Sequence, residues 1–270
     1  MNATNTAHPL LDFEGPLRTR MGACFPGERT VFRGQDLHAD LKDMDWVELY
    51  VFGITGRRFS ANQITLLHAL WTYTSYPDAR LWNNRVAALA GSARSTASLG
   101  IAAAIAVSEA GIYGWQPVIS IADFLLRAQQ QLDKGENLQD VLAQELKQHR
   151  HIGGYGRPVA TQQVDERISA IIALMEREQL AQGRYLRLAF AIEQALFQSG
   201  RHLRINYAPV LAAIPLDMGF SLRECHLFVQ PCLMAGMPPC YLEASERPEG
   251  ATFALRCTKV QYTGPGRRQW

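Results

Sequence analysis

Residues 80–115 read R-L-W-N-N-R-V-A-A-L-A-G-S-A-R-S-T-A-S-L-G-I-A-A-A-I-A-V-S-E-A-G-I-Y-G-W, and their centre, Ala97 to Ala110, is almost entirely Ala, Ile, Val, Leu, Gly and Ser. A helix made of these residues is apolar or tiny on every face, so it is expected to be buried, with neighbouring backbones drawn close to it. Arg94, Ser108 and Glu109 interrupt it, and it is too short to span a bilayer. The stretch therefore predicts a packed helical core in which the rest of the chain, and a second copy of it, surround this segment.

Outward from that core the pattern stays helical. Upstream, Arg20–Cys24 and Thr30–Arg33 have strand character around the Pro26-Gly27 turn signal, which predicts a small hairpin. Asp36 reads as the N-cap of a first helix, and Ser60 as the cap of a second over Ala61–Thr74, with His68 on its apolar face as a core histidine. Pro77-Asp78 opens a helix that ends at Gly91. Downstream, Gly111, Gly114 and Pro117 break the chain into a loop. Helical periodicity returns at Ile119–Leu132, Asn137–Gln148, Val164–Glu178 and Tyr185–Gln198, then in Val210–Met218 with a kink at Pro215. Leu222–Leu242 reads as one long helix bent near Gly236, and the tail as an extended arm with a strand-like run at Phe253–Tyr262. Nearly everything from Asp36 to Glu243 is helix, well above the usual third.

Composition narrows the function classes. The 270 residues are 47% hydrophobic with a net charge of +2, and no Lys/Arg block interleaves with aromatics, so neither nucleic acid nor a membrane is the expected partner. The start lacks the basic and apolar regions of an export signal, and a cytoplasmic location is expected. Cys24, Cys225, Cys232, Cys240 and Cys257 contain no C-x-x-C pair, which predicts reduced thiols and no metal site. Cys225 and Cys232 share a helix face as packing residues. The glycine-rich H-R-H-I-G-G-Y-G-R-P-V has neither Rossmann nor P-loop spacing.

Read together, R-G-x-D-L after a hairpin, the block A-G-S-A-R-S-T-A-S-L-G-I-A-A-A-I-A-V-S-E-A-G-I-Y-G, the G-Y-G loop followed by Asp165 and Arg167, N-Y-A-P-V-L-A-A-I-P-L-D-M-G and a closing Y-T-G resemble, in order, citrate synthases and short citryl-CoA-lyase-like proteins. The resemblance spans most of residues 20–266. It implies an all-α, citrate synthase-like helical fold with a small N-terminal hairpin and an extended C-terminal arm, working as an intimate homodimer. It also implies an N-terminal arm over 1–19, a large helical domain from 20–150 and 201–270, and a smaller mobile helical region over 151–200.

The acid/base positions of that family are changed. Its H-G-G histidine falls on Tyr113, its second histidine on Arg157, and its N-V-D aspartate on Ala208, although Asn206 is kept. Alanine transfers no proton, arginine stays charged at neutral pH, and an ordinary tyrosine is a donor and a poor base. Of the carboxylate-binding arginines only Arg167 survives. One lies at Leu233, and the tail arginine falls on Cys257 or, with one residue of slippage, Arg256. True citrate synthase activity is not expected.

Two function classes follow. One is an enzyme acting on an acyl-CoA or carboxylate substrate with non-standard residues: Tyr113 as oxyanion donor, Arg157 and Arg167 as charge clamps with Asp165 orienting them, and His149, His151 or His202 in place of the missing base. Asp78, Asn83, Asn84, Arg85, Asn206 and Arg256 join the candidate substrate residues, although the W-N-N-R cluster equally well pairs within the fold. No tightly bound cofactor is expected, and a coenzyme A thioester is the candidate substrate. The other class is a non-catalytic relative that binds a small anionic ligand, or an intact paralogue through the dimer surface.

Overall fold

The computed structural model describes residues 10, 13–156 and 164–268. The chain divides into two compact units, Met1–Arg58 and Phe59–Trp270.

In the first unit, β1 (Gly22–Phe25), β2 (Arg29–Phe32) and β3 (Gln35–Asp36) form an antiparallel sheet in the order β1-β2-β3. Gly22 pairs with Phe32 and Val31 with Asp36. Gly27, at φ +80°, takes the left-handed conformation that closes the first turn. The expected hairpin is therefore present with a third strand added. Asp36 does not cap a helix: its carboxylate accepts from His38 N and Ala39 N in the turn after β3. The first helix, α1 (Trp46–Thr55), starts nine residues later, with Asp45 accepting from Glu48 N at 2.9 Å. Asp45 sits directly before an apolar run, whereas Asp36 is followed by polar residues that give a helix nothing to bury.

The second unit is helical. It comprises α2 (Ala61–Thr72), α3 (Trp82–Ser92), α4 (Ala97–Val107), α5 (Gln116–Asp133), α6 (Leu138–His149), α7 (Glu166–Arg177), α8 (Arg184–Gln198), α9 (Tyr207–Asp217), α10 (Leu222–Val229), a 3-10 segment (Gln230–Gly236) and α11 (Met237–Glu246). Ser60 caps α2 reciprocally with Gln63, as Ser221 caps α10 with Glu224. The long bent helix expected over Leu222–Leu242 is thus three pieces. Pro231, Pro238 and Pro239 each lack an N–H for the helical ladder, so the chain restarts at each proline-bearing turn.

The helix buried on all sides is α9. Tyr207 and Pro209 through Leu216 are buried, with α5 and α8 against it. The Ala-rich α4 is covered on one face only. Gly100, Ala104 and Ser108 are buried against α3 and α11, while Leu99 is 67% exposed and Ala102, Ala103, Ala106 and Val107 are also exposed. Small residues do allow the close approach expected of this region. A Cβ on Gly91 would lie 2.3 Å from the Tyr241 carbonyl oxygen of α11, and one on Gly100 would lie 2.7 Å from the Ala90 Cβ of α3. What the composition did not reveal is that a single chain supplies cover for only one side of α4.

Two further expectations change. His68 is exposed on α2 rather than in the core, because the buried stripe runs through Ile64, Leu67 and Trp71 beside it. The tail carries no strand at Phe253–Tyr262, only a short 3-10 turn at Cys257–Lys259, and Leu255, Val260 and Tyr262 are exposed. Its alternating apolar residues have no strand beside them within the chain to pair with. Cys225 and Cys232 are buried as packing residues, and no cysteine among the described residues is disulfide-bonded.

Candidate functional site

The site grows from the start of α7. Asp165, its N-cap, is wholly buried, and its carboxylate accepts from Arg167 Nε at 2.8 Å, Arg167 Nη2 at 2.7 Å and Tyr207 N at 3.0 Å. Arg167 is thereby fixed in a fork-to-fork pair. Its guanidinium stacks 4.5 Å from the Tyr207 ring centroid and 5.2 Å from that of Tyr76. Burial disfavours its charge, but the Asp165 hydrogen bonds and charge offset this and hold the pKa above the usual arginine value. The side chain keeps 19% of its surface exposed, and no acceptor among the described residues reaches Nη1. A permanent cation, oriented on three sides, therefore presents one free N–H edge.

The two stacking tyrosines do not act as acids or bases at neutral pH. Burial raises both phenols, Tyr207 well above its ordinary value despite the lowering effect of Arg167. Each is held from outside the site. Asn206 caps α9, accepting from Ala208 N at 2.9 Å, and donates through Nδ2 to Gly156 O at 2.8 Å. Asn84 Nδ2 donates to the carbonyls of Tyr76 and Asp78. Asn83 Nδ2 donates to Ser108 Oγ at 3.3 Å. The W-N-N-R asparagines are thus buried positioning residues that hold the Tyr76 backbone and the end of α4.

The glycine loop is committed to the fold as well. Gly154, at φ +88°, has Pro209 so close that a Cβ would lie 2.4 Å from its Cγ, and Tyr155 bridges to Ile205. Gly156 N donates to Arg204 O at 2.6 Å. This bridge brings the segment ending K-Q-H-R-H, with Lys147, His149, Arg150 and His151 exposed, to the same place as R-H-L-R, where Arg201 and His202 are exposed and Arg204 stacks 4.9 Å from Phe197. Neither segment contains an acidic residue.

The other candidates are dispersed. Tyr113 lies 37% exposed on the turn after α4, with φ +54°. Asp78 is paired with its neighbour Arg80 at 2.6 Å. Arg85 stacks between Trp82 and Phe253 and donates through Nε to Ala79 O. His149 lies 3.9 Å from Glu145, His151 is exposed, the His202 ring packs 5.5 Å from Phe197, and Arg256 is exposed in the tail. Arg157 falls outside the described residues. Sequence reading missed Tyr76 and Tyr207, which carry no motif of their own, and a hydrogen-bonded pair on the Tyr113 turn, Glu109 with His226 at 3.0 Å. No group of three metal-ligating side chains is found among the described residues, and no helix among them is long and apolar enough to cross a membrane.

No protein-family model matches the chain, and no curated protein matches its sequence. Solved structures do match in shape. The citryl-CoA lyase of Hydrogenobacter thermophilus superposes with a TM-score of 0.80 at 18% identity, over 94% of this chain and 97% of that one. A mutant ATP citrate lyase of Methanosaeta concilii, solved with (3S)-citryl-CoA, gives 0.74 at 14% identity over 94% of this chain and 43% of its own. Citrate synthase from Thermotoga maritima gives 0.63 at 17% identity, over 85% and 60%. This chain thus spans less than two thirds of the latter two proteins and nearly the whole of the first. The helix order, the small N-terminal sheet and these superpositions together give the chain the all-α citrate synthase-like fold.

Proposed function

We propose that this protein binds a carboxylate-bearing acyl-CoA thioester and forms or breaks a carbon–carbon bond in it, using acid/base residues other than those of true citrate synthases. The observation that carries the reading is Arg167: a guanidinium clamped by Asp165 and two tyrosine rings, with its Nη1 edge left for an anion. A bidentate or charge-assisted contact at such an edge is how arginine reads a carboxylate. The acid-free segments at 147–151 and 201–204 add cationic groups suited to the phosphates of coenzyme A. They meet at the bridge whose next residues, Asn206 and Tyr207, lead into the Arg167 clamp. The shape neighbours act on citryl-CoA or citrate, which makes a tricarboxylate and its CoA thioester the first ligands to test.

Arg167→Ala is expected to weaken citrate binding roughly tenfold to a hundredfold, the equivalent of about 1.5–3 kcal/mol for a charge-assisted contact. Titration calorimetry with citrate and with coenzyme A checks this. Arg204→Ala should weaken coenzyme A and spare citrate. Equal citrate affinity in the parent and Arg167→Ala would remove the proposal.

A second reading, binding without chemistry, is favoured by Ala208 and by the dispersal of His149, His151 and His202 away from the Arg167 clamp. In it the protein is a pseudoenzyme that holds the same ligand or joins an intact paralogue. Under either reading the working form is proposed to be a cytoplasmic homodimer that covers the apolar outer face of α4. A dimer mass by light scattering at micromolar concentration is the expected result, and a monomer mass would contradict it.

A further inference from the structure

We propose that His226 and Glu109 form a proton-transfer pair serving the site, with His226 as the base that the family positions no longer supply. The inference rests on the reading of the protein as an acyl-CoA enzyme. His226, on α10, places Nε2 3.0 Å from Glu109 Oε1. The carboxylate is itself oriented: Gln230 Nε2 reaches Oε1 at 3.4 Å, and Gln116 Nε2 reaches Oε2 at 3.1 Å. Two amides and an imidazole around one carboxylate fix its plane. Glu109 is also held below the ordinary carboxylate range, chiefly by the His226 hydrogen bond. An ionised Glu109 can only accept, so Nε2 carries the proton and Nδ1 keeps its lone pair, with no hydrogen-bond partner among the described residues. Both side chains remain a little under half exposed, within reach of a ligand.

The turn bearing Glu109 is built to hold a geometry. Trp115 N donates to Ser108 O at 2.7 Å, and Trp82 Nε1 donates to Ile112 O at 2.8 Å. Gly114 has Ala110 O and Ser108 O so near that a Cβ would fall 2.4 and 2.5 Å from them. Tyr113, four residues after Glu109, is kept in the left-handed region, where a non-glycine residue is strained. Trp115 Nε1 is buried with no acceptor. Strain, an orphaned buried donor and an oriented histidine–carboxylate pair thus coincide on one turn, the turn where the family resemblance places its first acid/base residue. Ion pairs elsewhere, such as Arg127 with Glu145, lack this company.

For a 3-hydroxy-3-carboxy acyl-CoA the step balances without oxidant or water. His226 Nδ1 takes the hydroxyl proton as the carbonyl forms, and the bond from that carbon to the thioester α-carbon breaks. The electron pair passes to the α-carbon as the thioester enolate, which then recovers the proton from the imidazolium. Glu109 acts as a positioning residue that stabilises the imidazolium.

The test is cleavage of (3S)-citryl-CoA by the full chain, followed as acetyl-CoA and oxaloacetate, with citrate binding and thermal melting measured on the same samples. His226→Gln is expected to lose about 10²–10⁴-fold in kcat, the usual range for a general base, with KM and citrate affinity unchanged. Glu109→Gln is expected to lose a smaller factor, also in kcat alone. Wild-type kcat in His226→Gln, or a loss confined to KM, would overturn the pair. No turnover by the parent while citrate still binds through Arg167 would also overturn it and leave the binding reading standing. Failure of both would remove that reading too. Should His226→Gln melt early, His226→Asn and Glu109→Asp supply folded variants for the same comparison.

Discussion

Replacing Asp165 by alanine is expected to lower stability by about 3–5 kcal/mol, the cost of leaving one member of a buried ion pair unmatched. The side chain is 0% exposed, and three donors converge on it: two edges of Arg167 and the Tyr207 N–H. Alanine strands an 82% buried guanidinium, leaves the first N–H of α9 without its acceptor, and removes the α7 cap together with its bond to Arg167 N. These losses fall on one connected network and will not add independently. A thermal scan should show a fall of roughly 6–20 °C for a unit of this size. Asp165→Asn keeps an oxygen for the cap and should fall less. A melting temperature within a degree of the parent for Asp165→Ala would mean that Arg167 is not organised as described.

Ala104→Glu should be comparably damaging, for a different reason. Ala104 is fully buried in a cluster with Ala87 and Met237, where α3, α4 and α11 meet without room for a longer side chain. A carboxylate there has no cation to pair with among those neighbours, and both its volume and its desolvation oppose folding, at a cost of several kcal/mol. Ala102→Glu on the exposed face of the same helix should leave the melting temperature of a dilute sample within a few degrees and instead reduce self-association. Denaturation of the two variants, read with light scattering, separates the buried face from the free one. Equal behaviour of the two would contradict the burial described for α4.

Much of the fold was legible because local rules and global packing agree. Ser60, Thr96, Asn137 and Ser221 stand before periodic apolar runs and cap the helices that follow. Where reading failed, the missing information was which surface lies opposite. Composition made α4 apolar all round, and only the tertiary arrangement shows that α9 takes the buried centre. Val210–Leu216 has the same composition as Ala97–Val107, so no periodicity could rank them. The tail alternates like a strand without a partner strand inside the chain.

The candidate site divides in the same way. Asp165 and Arg167 were found from their spacing after the G-Y-G loop, and two residues apart on a helix start is close enough for the pairing to be local. Tyr76 lies far from Arg167 in sequence and reaches it only because Asn84 holds its backbone. His226 and Glu109 are 117 residues apart, with no signature in either neighbourhood. Asn83 and Asn84 looked like ligand-facing polar groups, since an amide inside an apolar run has no other evident use. Their partners turned out to be backbone carbonyls and a serine hydroxyl inside the fold.

The measurement that bears most directly on the account is a crystal structure of the protein with citrate. A citrate carboxylate oxygen is expected about 2.7–3.1 Å from Arg167 Nη1, with the Asp165 pair and both stacked tyrosines unmoved. Citrate bound elsewhere, or an Arg167 swung out of the tyrosine stack to meet it, would contradict the claim that this clamped guanidinium is the centre of the site.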